Sequence, residues 1–220
     1  METQSTETSS NALLQLNGPV PDFTAKTTHG PLTLSTWHPD KWVILFSHPA
    51  DFTPVCTTEF MAFAKLNKEF EKRNVKLLGN SIDSIYSHIA WVQNIKRNFD
   101  VDIPFPIIAD LDQKVARKYG MLHEASSDTA AIRAVFIIDE KRVLRAMIYY
   151  PLNLGRNFDE ILRVVDALQT ADEHGVACPA DWRPGEPVIV PPPATAKEAA
   201  ERLTDDRYEV TDWYFSKRKL

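Results

Sequence analysis

A short apolar run that leads into a longer amphipathic stretch sets the strongest limit on the fold of this chain. Residues 41–47 read Lys-Trp-Val-Ile-Leu-Phe-Ser, an apolar segment rich in strand-favouring residues, which predicts a buried strand. After a loop at 48–54, aromatic and aliphatic side chains recur at helical spacing through 57–73, with Lys and Glu between them. A buried strand followed by an amphipathic helix is typical of a layered α/β domain.

The same alternation continues along the chain. Spacing of apolar residues predicts further elements at 75–78, 84–99, 105–108, 114–119, 134–138, 143–150 and 157–174. The helix at 84–99 is expected to bury one face that carries Ile85, Ile89, Val92 and Ile95. Helical crossovers between the early strands make part of the sheet parallel, and a hairpin between the last two strands makes part of it antiparallel. We therefore expect an α/β fold with a mixed central sheet flanked by helices.

The two ends of the chain differ in composition from this middle part. The N-terminal segment lacks the basic start and apolar middle of a secretory signal, so we interpret 1–17 as a disordered or extended lead. Beyond Gly175, frequent prolines argue against regular helix or sheet, although several tryptophan, tyrosine and aliphatic residues are too apolar for a free tail. We expect one domain at 18–175 and an arm at 176–220 that covers its own domain or, as its length favours, dimerises with a second subunit.

Charge and hydropathy exclude several function classes. The formal net charge of −5 disfavours general binding to nucleic acid or to an anionic membrane, because both bind preferentially to basic protein surfaces. No apolar run approaches the length that crosses a bilayer. We expect a cytoplasmic protein without a membrane or nucleic-acid partner.

The chain has only two cysteines, Cys56 and Cys178. A secreted disulfide scaffold or a thiolate zinc cluster would use more thiols, and no Cys-x-x-Cys redox pair is present. Three interpretations remain open from the count alone: one reactive cysteine, a functional pair, or two inert core residues. We expect no metal and no other cofactor.

The surroundings of Cys56 favour a reactive thiol. The residue falls in the first turn of the helix that follows the loop, where unpaired N–H groups and the positive end of the helix dipole stabilise a thiolate. Thr53 can donate to this thiolate and accept from a peroxide O–H, while Pro49 fixes the loop and shields the sulfur. His48 either touches this pocket or is a solvated histidine.

Arg133 opens the predicted core strand Arg-Ala-Val-Phe-Ile-Ile. A charge at that position needs a partner, and the thiolate of Cys56 would be one; a surface Arg paired with an Asp is the other interpretation. Cleavage of a peroxide needs donors that polarise the O–O bond and a group that stabilises the departing oxide. A guanidinium, which is always charged and donates several hydrogen bonds, suits both roles.

The chain resembles the peroxiredoxin family. Pro49-x-x-x-Thr53-x-x-Cys56 matches the family motif P-x-x-x-T-x-x-C, and the surrounding text, with residues 155–163 and 182–192, resembles the one-cysteine, peroxiredoxin-6-like subgroup. This resemblance implies a thioredoxin-like fold and the reduction of hydrogen peroxide and small organic hydroperoxides. It also implies that attack on the peroxide leaves a cysteine sulfenic acid, which another thiol reduces.

The resemblance also assigns roles to residues. It makes Cys56 the peroxidatic cysteine. The pocket and substrate-binding residues that it implies are His48, Pro49, Thr53, Arg133 and Arg156. For Arg156, a capping or ion-pair role at the start of the last predicted helix is an equal alternative.

Cys178 departs from the one-cysteine pattern. The segment Ala177-Cys-Pro-Ala-Asp-Trp182 resembles the one that holds the resolving cysteine of typical two-cysteine peroxiredoxins. We expect Cys178 of one subunit to attack the Cys56 sulfenate of another, in a homodimer or a larger ring, and a thioredoxin-like donor to reduce the disulfide. The alternative is a one-cysteine cycle in which glutathione or another small thiol reduces the sulfenic acid.

Other functions find less support. A phospholipase would need a Gly-x-Ser-x-Gly-like serine, and the matching region at 38–43 has none. A general thiol–disulfide oxidoreductase normally uses Cys-x-x-Cys. A chaperone-like scaffold stays open, since peroxiredoxins form rings; peroxide consumption separates it from an enzyme.

Overall fold

The computed structural model describes residues 14–127 and 129–220, and the chain forms two compact units that divide between Arg156 and Asn157. The strands of the first unit are β1 (Thr24–Thr27), β2 (Gly30–Thr33), β3 (Trp42–Ser47), β4 (Val75–Ser81), β5 (Ile107–Ala109), β6 (Arg133–Ile138) and β7 (Leu144–Tyr150). Its helices are α1 (Pro54–Lys72), α2 (Ile85–Phe99) and α3 (Lys114–Lys118). Within the described part of the chain, no helix combines the length and apolarity needed to cross a membrane.

The seven strands of the first unit form one mixed sheet in the order β2-β1-β5-β4-β3-β6-β7. The neighbours β3, β4 and β5 run parallel, because α1 and α2 are the crossovers between them. The remaining neighbours pair antiparallel, including the hairpin of β6 and β7. The predicted mixed sheet is confirmed, with every residue of β3 buried.

Aromatic packing fixes α1 against this sheet. Phe46 of β3 stacks on Phe63 of α1 with ring centroids 4.0 Å apart and meets Phe60 edge-on at 5.5 Å. Phe105 contacts the same three rings from the segment before β5. Because these large side chains are buried, the first turn of α1 is held close to the end of β3.

Three differences from the sequence predictions lie in the first unit. The hairpin of β1 and β2 was not predicted, since its strands are short and polar; Gly30, at φ +101°, begins β2. On α2 the buried residues are His88, Trp91 and Ile95, whereas Ile89, predicted on the apolar face, is exposed. The predicted lead at 1–17 lies outside the described residues up to residue 13, and Asn17 N–H donates to the Leu144 carbonyl at 2.7 Å.

The second unit contains α4 (Phe158–His174), β8 (Val188–Val190), α5 (Ala196–Arg202), β9 (Glu209–Asp212) and β10 (Phe215–Arg218). Thus α4, which the sequence placed with the first domain, groups with the C-terminal residues. Asn157 caps α4 by accepting from Glu160 N–H, and Gly175 ends it at φ +59°. Val176, Trp182 and Val188 pack together with Ala167 of α4 in a small core.

The prediction that prolines prevent regular structure in the arm was wrong. Strands β8, β10 and β9 form an antiparallel sheet, and residues 191–193, all proline, lie between β8 and α5 rather than inside an element. Thr195 and Glu198 form a complete capping box at the start of α5. Prolines restrict only the segments they occupy, so elements form between them.

Ser47 joins β3 to the start of β6. Its buried hydroxyl donates to the Ile132 carbonyl at 2.6 Å and accepts from Ala134 N–H at 3.1 Å. Because these two backbone groups flank Arg133, the hydroxyl also fixes the point from which the Arg133 side chain leaves the strand.

We expect Ser47→Ala to lower the free energy of unfolding by about 1–3 kcal/mol, because it leaves two buried backbone groups without their partner. Urea denaturation followed by fluorescence measures this loss. Thr36→Ala removes an exposed hydroxyl and is the control, with a change within about 0.5 kcal/mol. Equal effects of the two substitutions would show that the buried hydroxyl contributes nothing.

Candidate active site

Cys56 is the third residue of α1 and is fully buried. Thr53 is the N-cap and Pro54 occupies the first helical position, which suits its fixed φ and missing N–H. The Thr53 side chain does not cap the helix, so the N–H groups of the first turn stay available beside the sulfur. Those groups favour negative charge at this place.

Arg133 contacts the sulfur from the start of β6. Its Nη1 lies 3.3 Å from Cys56 Sγ and 2.8 Å from Glu59 Oε2. Its Nε and Nη2 both donate to the Leu152 carbonyl, at 3.0 and 2.8 Å. The guanidinium is therefore held in one orientation, with one nitrogen directed at the thiol, and the interpretation of Arg133 as a surface residue was wrong, because it is 3% exposed.

Glu59 bridges two buried arginines. Besides Arg133, its carboxylate accepts from Arg156 Nη1 at 2.9 Å and from Arg156 N–H at 2.9 Å. Arg156 Nη2 also donates to the carbonyls of Ser47 and Ala134. Burial lowers the pKa of Arg156 to about 10, although Glu59 acts in the opposite direction.

The side chains of Arg133, Arg156 and Glu59 leave this buried cluster with a net positive charge. Arg133 and Arg156 bring two positive charges into a buried site, and Glu59 supplies one negative charge. A second negative charge is needed to compensate the pair, since an unbalanced buried charge is costly. Cys56 Sγ, 3.3 Å from Arg133 Nη1, lies where such a charge would be compensated.

Thr53 and Pro49 lie in the loop before α1, and both are half-buried. The Thr53 hydroxyl donates to the Ala50 carbonyl at 2.9 Å, whereas the sequence suggested that it donates to the thiolate. Because its single proton is used in this bond, the oxygen faces a ligand as an acceptor. A peroxide O–H is a suitable donor to it.

His48 is fully buried, so the interpretation as a solvated histidine was wrong. Its Nε2 lies 2.8 Å from Asp51 Oδ1, and its ring packs against Phe60 and Trp91. Burial lowers the pKa of His48, although the bond to Asp51 opposes this. The side chain thus supports the loop from behind.

Asp51 also contacts His88 of α2, a pair that the sequence analysis did not predict. His88 Nδ1 lies 2.8 Å from Asp51 Oδ2, and both side chains are buried. Burial raises the pKa of Asp51, but hydrogen bonds from the two histidines outweigh it and hold the pKa at about 2. Asp51 is therefore ionised throughout the neutral range.

These three side chains are a group that could hold a metal ion, since their ligand atoms lie within 4.8 Å of one another. Yet Asp51 already receives a hydrogen bond on each oxygen at 2.8 Å. The ring nitrogens that donate these bonds carry protons and therefore cannot bind an ion, so the geometry fits a hydrogen-bonded cluster better than a metal site.

Cys178 lies in the second unit and is half-buried. Its Sγ donates to the Ala167 carbonyl of α4 at 3.4 Å. Burial raises the pKa of the Cys178 thiol, and the charge of Arg163 acts in the opposite direction. The residue thus belongs to neither a free tail nor a sealed core.

Comparison with known proteins places the chain in a family. The family model described as AhpC/TSA family matches residues 16–147, and the one described as C-terminal domain of 1-Cys peroxiredoxin matches residues 167–206. A peroxiredoxin of Aquifex aeolicus is 57% identical, over 95% of this chain and 98% of that protein. The chain belongs to the peroxiredoxin family. This peroxiredoxin is therefore a thiol-dependent peroxidase, an oxidoreductase.

Solved structures agree with this peroxiredoxin in fold. A yeast mitochondrial 1-Cys peroxiredoxin has a TM-score of 0.83 and 41% identity, covering 94% of this chain and all of its own. Peroxiredoxin 6 of Arenicola marina also has a TM-score of 0.83, with 39% identity, covering 94% of this chain and 98% of its own. The predicted thioredoxin-like fold is thereby confirmed.

Sequence reasoning missed Glu59. It lies three residues after Cys56, one helical turn further along α1, and a lone acidic residue on an amphipathic helix normally faces solvent. The available signal was the spacing itself, because residues three apart lie on one helix face.

We expect Glu59→Gln to lower the free energy of unfolding by about 3 kcal/mol, because it removes the charge shared by two buried guanidinium groups. Urea denaturation measures the change. Glu69→Gln makes the same substitution on α1 at an exposed ion pair with Lys72 and is expected to cost far less. A loss no larger at Glu59 would contradict the charge balance described above.

Proposed function

We propose that Cys56 is the peroxidatic cysteine and that it reduces hydrogen peroxide and small organic hydroperoxides. The observation that carries this proposal is the 3.3 Å contact from Arg133 Nη1 to Cys56 Sγ, at the N-terminus of a helix. The thiolate sulfur attacks one peroxide oxygen and the O–O bond breaks. Cys56 becomes a sulfenic acid, and the departing oxide takes up a proton and leaves as water or alcohol.

Arg133 and Thr53 bind the peroxide in this proposal. Arg133 donates toward the sulfur and the peroxide oxygen, so it stabilises the charge that moves to the leaving oxide. Thr53 accepts the peroxide O–H, since its own proton is bound to the Ala50 carbonyl. Pro49 shields the sulfur, His48 supports the loop, and Arg156 acts through Glu59 by holding Arg133 in place.

Rapid mixing with hydrogen peroxide tests these roles. We expect Cys56→Ser to abolish peroxide consumption and Arg133→Gln to lower the second-order rate constant by about 10²–10³-fold, through loss of a donor aimed at developing charge. Arg117→Gln removes an exposed arginine and is expected to leave the rate constant unchanged. Peroxide consumption that survives Cys56→Ser would refute the assignment.

We further propose that Cys178 of a partner subunit resolves the sulfenic acid, which makes the functional unit at least a homodimer. The Cys178 thiolate would attack the Cys56 sulfur, release hydroxide and leave an intersubunit disulfide, which a thioredoxin-like dithiol reduces. The partial exposure of Cys178 and its place beside Arg163 support this role.

A one-cysteine cycle with a small thiol is the second candidate. The yeast mitochondrial 1-Cys peroxiredoxin has a thiol resolving mechanism via glutathione/thioredoxin systems. Assays of peroxide turnover should therefore compare both reductants. Turnover of the Cys178→Ser variant with glutathione, at the wild-type rate, would favour that cycle over the intersubunit disulfide.

The pH dependence of disulfide formation tests Cys178 directly. Since burial raises the pKa of its thiol, we expect the rate of peroxide-induced dimer formation to climb about tenfold per pH unit through the neutral range. Arg163→Gln should slow the step at neutral pH, and Arg163→Lys, which keeps the charge, should not. Non-reducing gels of samples quenched with a thiol-blocking reagent measure the rate, and a wild type that forms no dimer band would refute the proposal.

A further inference from the structure

Behind the peroxide pocket, His48, Asp51 and His88 form a buried group, here named the His–Asp–His cluster. Nothing in the chemistry of peroxide cleavage requires three ionisable side chains at this place. All three are buried, and the two histidines bond opposite oxygens of the same carboxylate at 2.8 Å. The contacts of each histidine ring therefore decide how many ring protons it carries.

His88 requires two ring protons. Its Nδ1 faces Asp51 Oδ2 at 2.8 Å, and its Nε2 faces the Ile108 carbonyl of β5 at 3.1 Å. Both partners are acceptors, because a carbonyl never donates and the carboxylate is ionised. A neutral imidazole has one N–H, so only an imidazolium satisfies both contacts.

His48 requires only one ring proton. Its Nε2 donates to Asp51 Oδ1 at 2.8 Å, and its buried Nδ1 has no hydrogen-bond partner among the described residues. The ring is therefore a neutral support for Asp51. The cluster as a whole pairs one negative charge on Asp51 with one positive charge on His88.

The cluster anchors the active-site loop, residues 48–53. Asp51 N–H donates to Asp83 Oδ2 at 3.1 Å, and the next residue, Phe52, has a φ of +56°, a conformation that costs energy for a bulky side chain. Contacts around Asp51 must hold that conformation. The same loop ends at Thr53, the N-cap of the helix that carries Cys56.

We propose that Asp51 and His88 are positioning residues for the peroxidase reaction, and that the second proton on His88 holds the active-site loop closed over Cys56. Loss of this proton turns one of the two His88 contacts into a repulsion between lone pairs. The loop then opens more often and exposes the sulfur to a resolving thiol. The consequence for turnover rests on the proposed role of Cys56, whereas the effect on the loop does not.

Among the described residues, the groups in contact with this cluster come from several elements. Asp51 lies in the loop, His48 follows β3, Asp83 follows β4, and β5 contributes the Ile108 carbonyl. From α1, the uncharged hydroxyl of Thr57 accepts a hydrogen bond from Trp91 Nε1.

Nitrogen-15 NMR of histidine-labelled wild type tests the proton count. We expect both ring nitrogens of His88 to be protonated at neutral pH and only one nitrogen of His48. A single protonated nitrogen on His88 at neutral pH would overturn the proposal. This measurement needs no variant, so it stands even where a substitution prevents folding.

Hydrogen exchange measured by mass spectrometry tests the consequence for the loop. In the reduced wild type, we expect the protection factor of amides in residues 48–57 to fall by about tenfold or more when the pH is raised above neutral, because loss of the second His88 proton removes one of its two hydrogen bonds. Protection factors already correct for the intrinsic pH dependence of exchange. Asp51→Asn and His88→Asn should each give low protection that no longer depends on pH.

Asp83→Asn is the matched control, because it removes a neighbouring charge but no histidine contact; it should keep the wild-type pH dependence. A wild-type protection factor that stays constant with pH, or Asp51→Asn and His88→Asn variants that keep the wild-type profile, would overturn the proposal. All these measurements use the reduced protein without peroxide. Their outcome is therefore independent of the assays for Cys56 and Cys178.

Discussion

The contact between Arg133 and the sulfur of Cys56 is the interaction on which the rest of the site depends. Both groups are buried, and a guanidinium at the start of a core strand is stable there only with compensating negative charge. Glu59 supplies one such charge but serves two arginines. The role proposed for Cys56 as a thiolate would complete the balance, since its Sγ lies 3.3 Å from Arg133 Nη1.

Local sequence patterns predicted the strand and helix that carry the site, but not the buried Glu59 that contacts its two arginines. The apolar run at 41–47 and the helical periodicity that follows located β3 and α1 within a few residues, because each element buries one consistent face. A buried charge without a local partner pointed to Arg133. Glu59 escaped notice because its partners, Arg133 and Arg156, are distant in sequence and come together only in the folded sheet.

Two other features depend on tertiary structure in the same way. The periodicity of α2 favoured Ile89 as a core residue, yet His88 takes a buried position because Asp51 and the Ile108 carbonyl satisfy both of its nitrogens. In the second unit, prolines obscured the strands around α5, although the spacing of Thr195 and Glu198 carried a capping signal. Single-sequence patterns describe faces and termini well, but they do not show which polar groups find partners.

The burial of Cys56 creates a conflict that the fold has to resolve. In the proposed reaction, a closed site favours attack on the peroxide, because donors act most strongly in a site of low dielectric. A peroxide is a small molecule, whereas the resolving thiol proposed for a partner subunit needs access to the buried sulfur. The strained backbone at Phe52 and the hydrogen-bonded Asp51 beside it lie in the loop that we propose to move between these states. A loop held closed by a few strong polar contacts, rather than by a large apolar surface, can open without disrupting the aromatic core around Phe46.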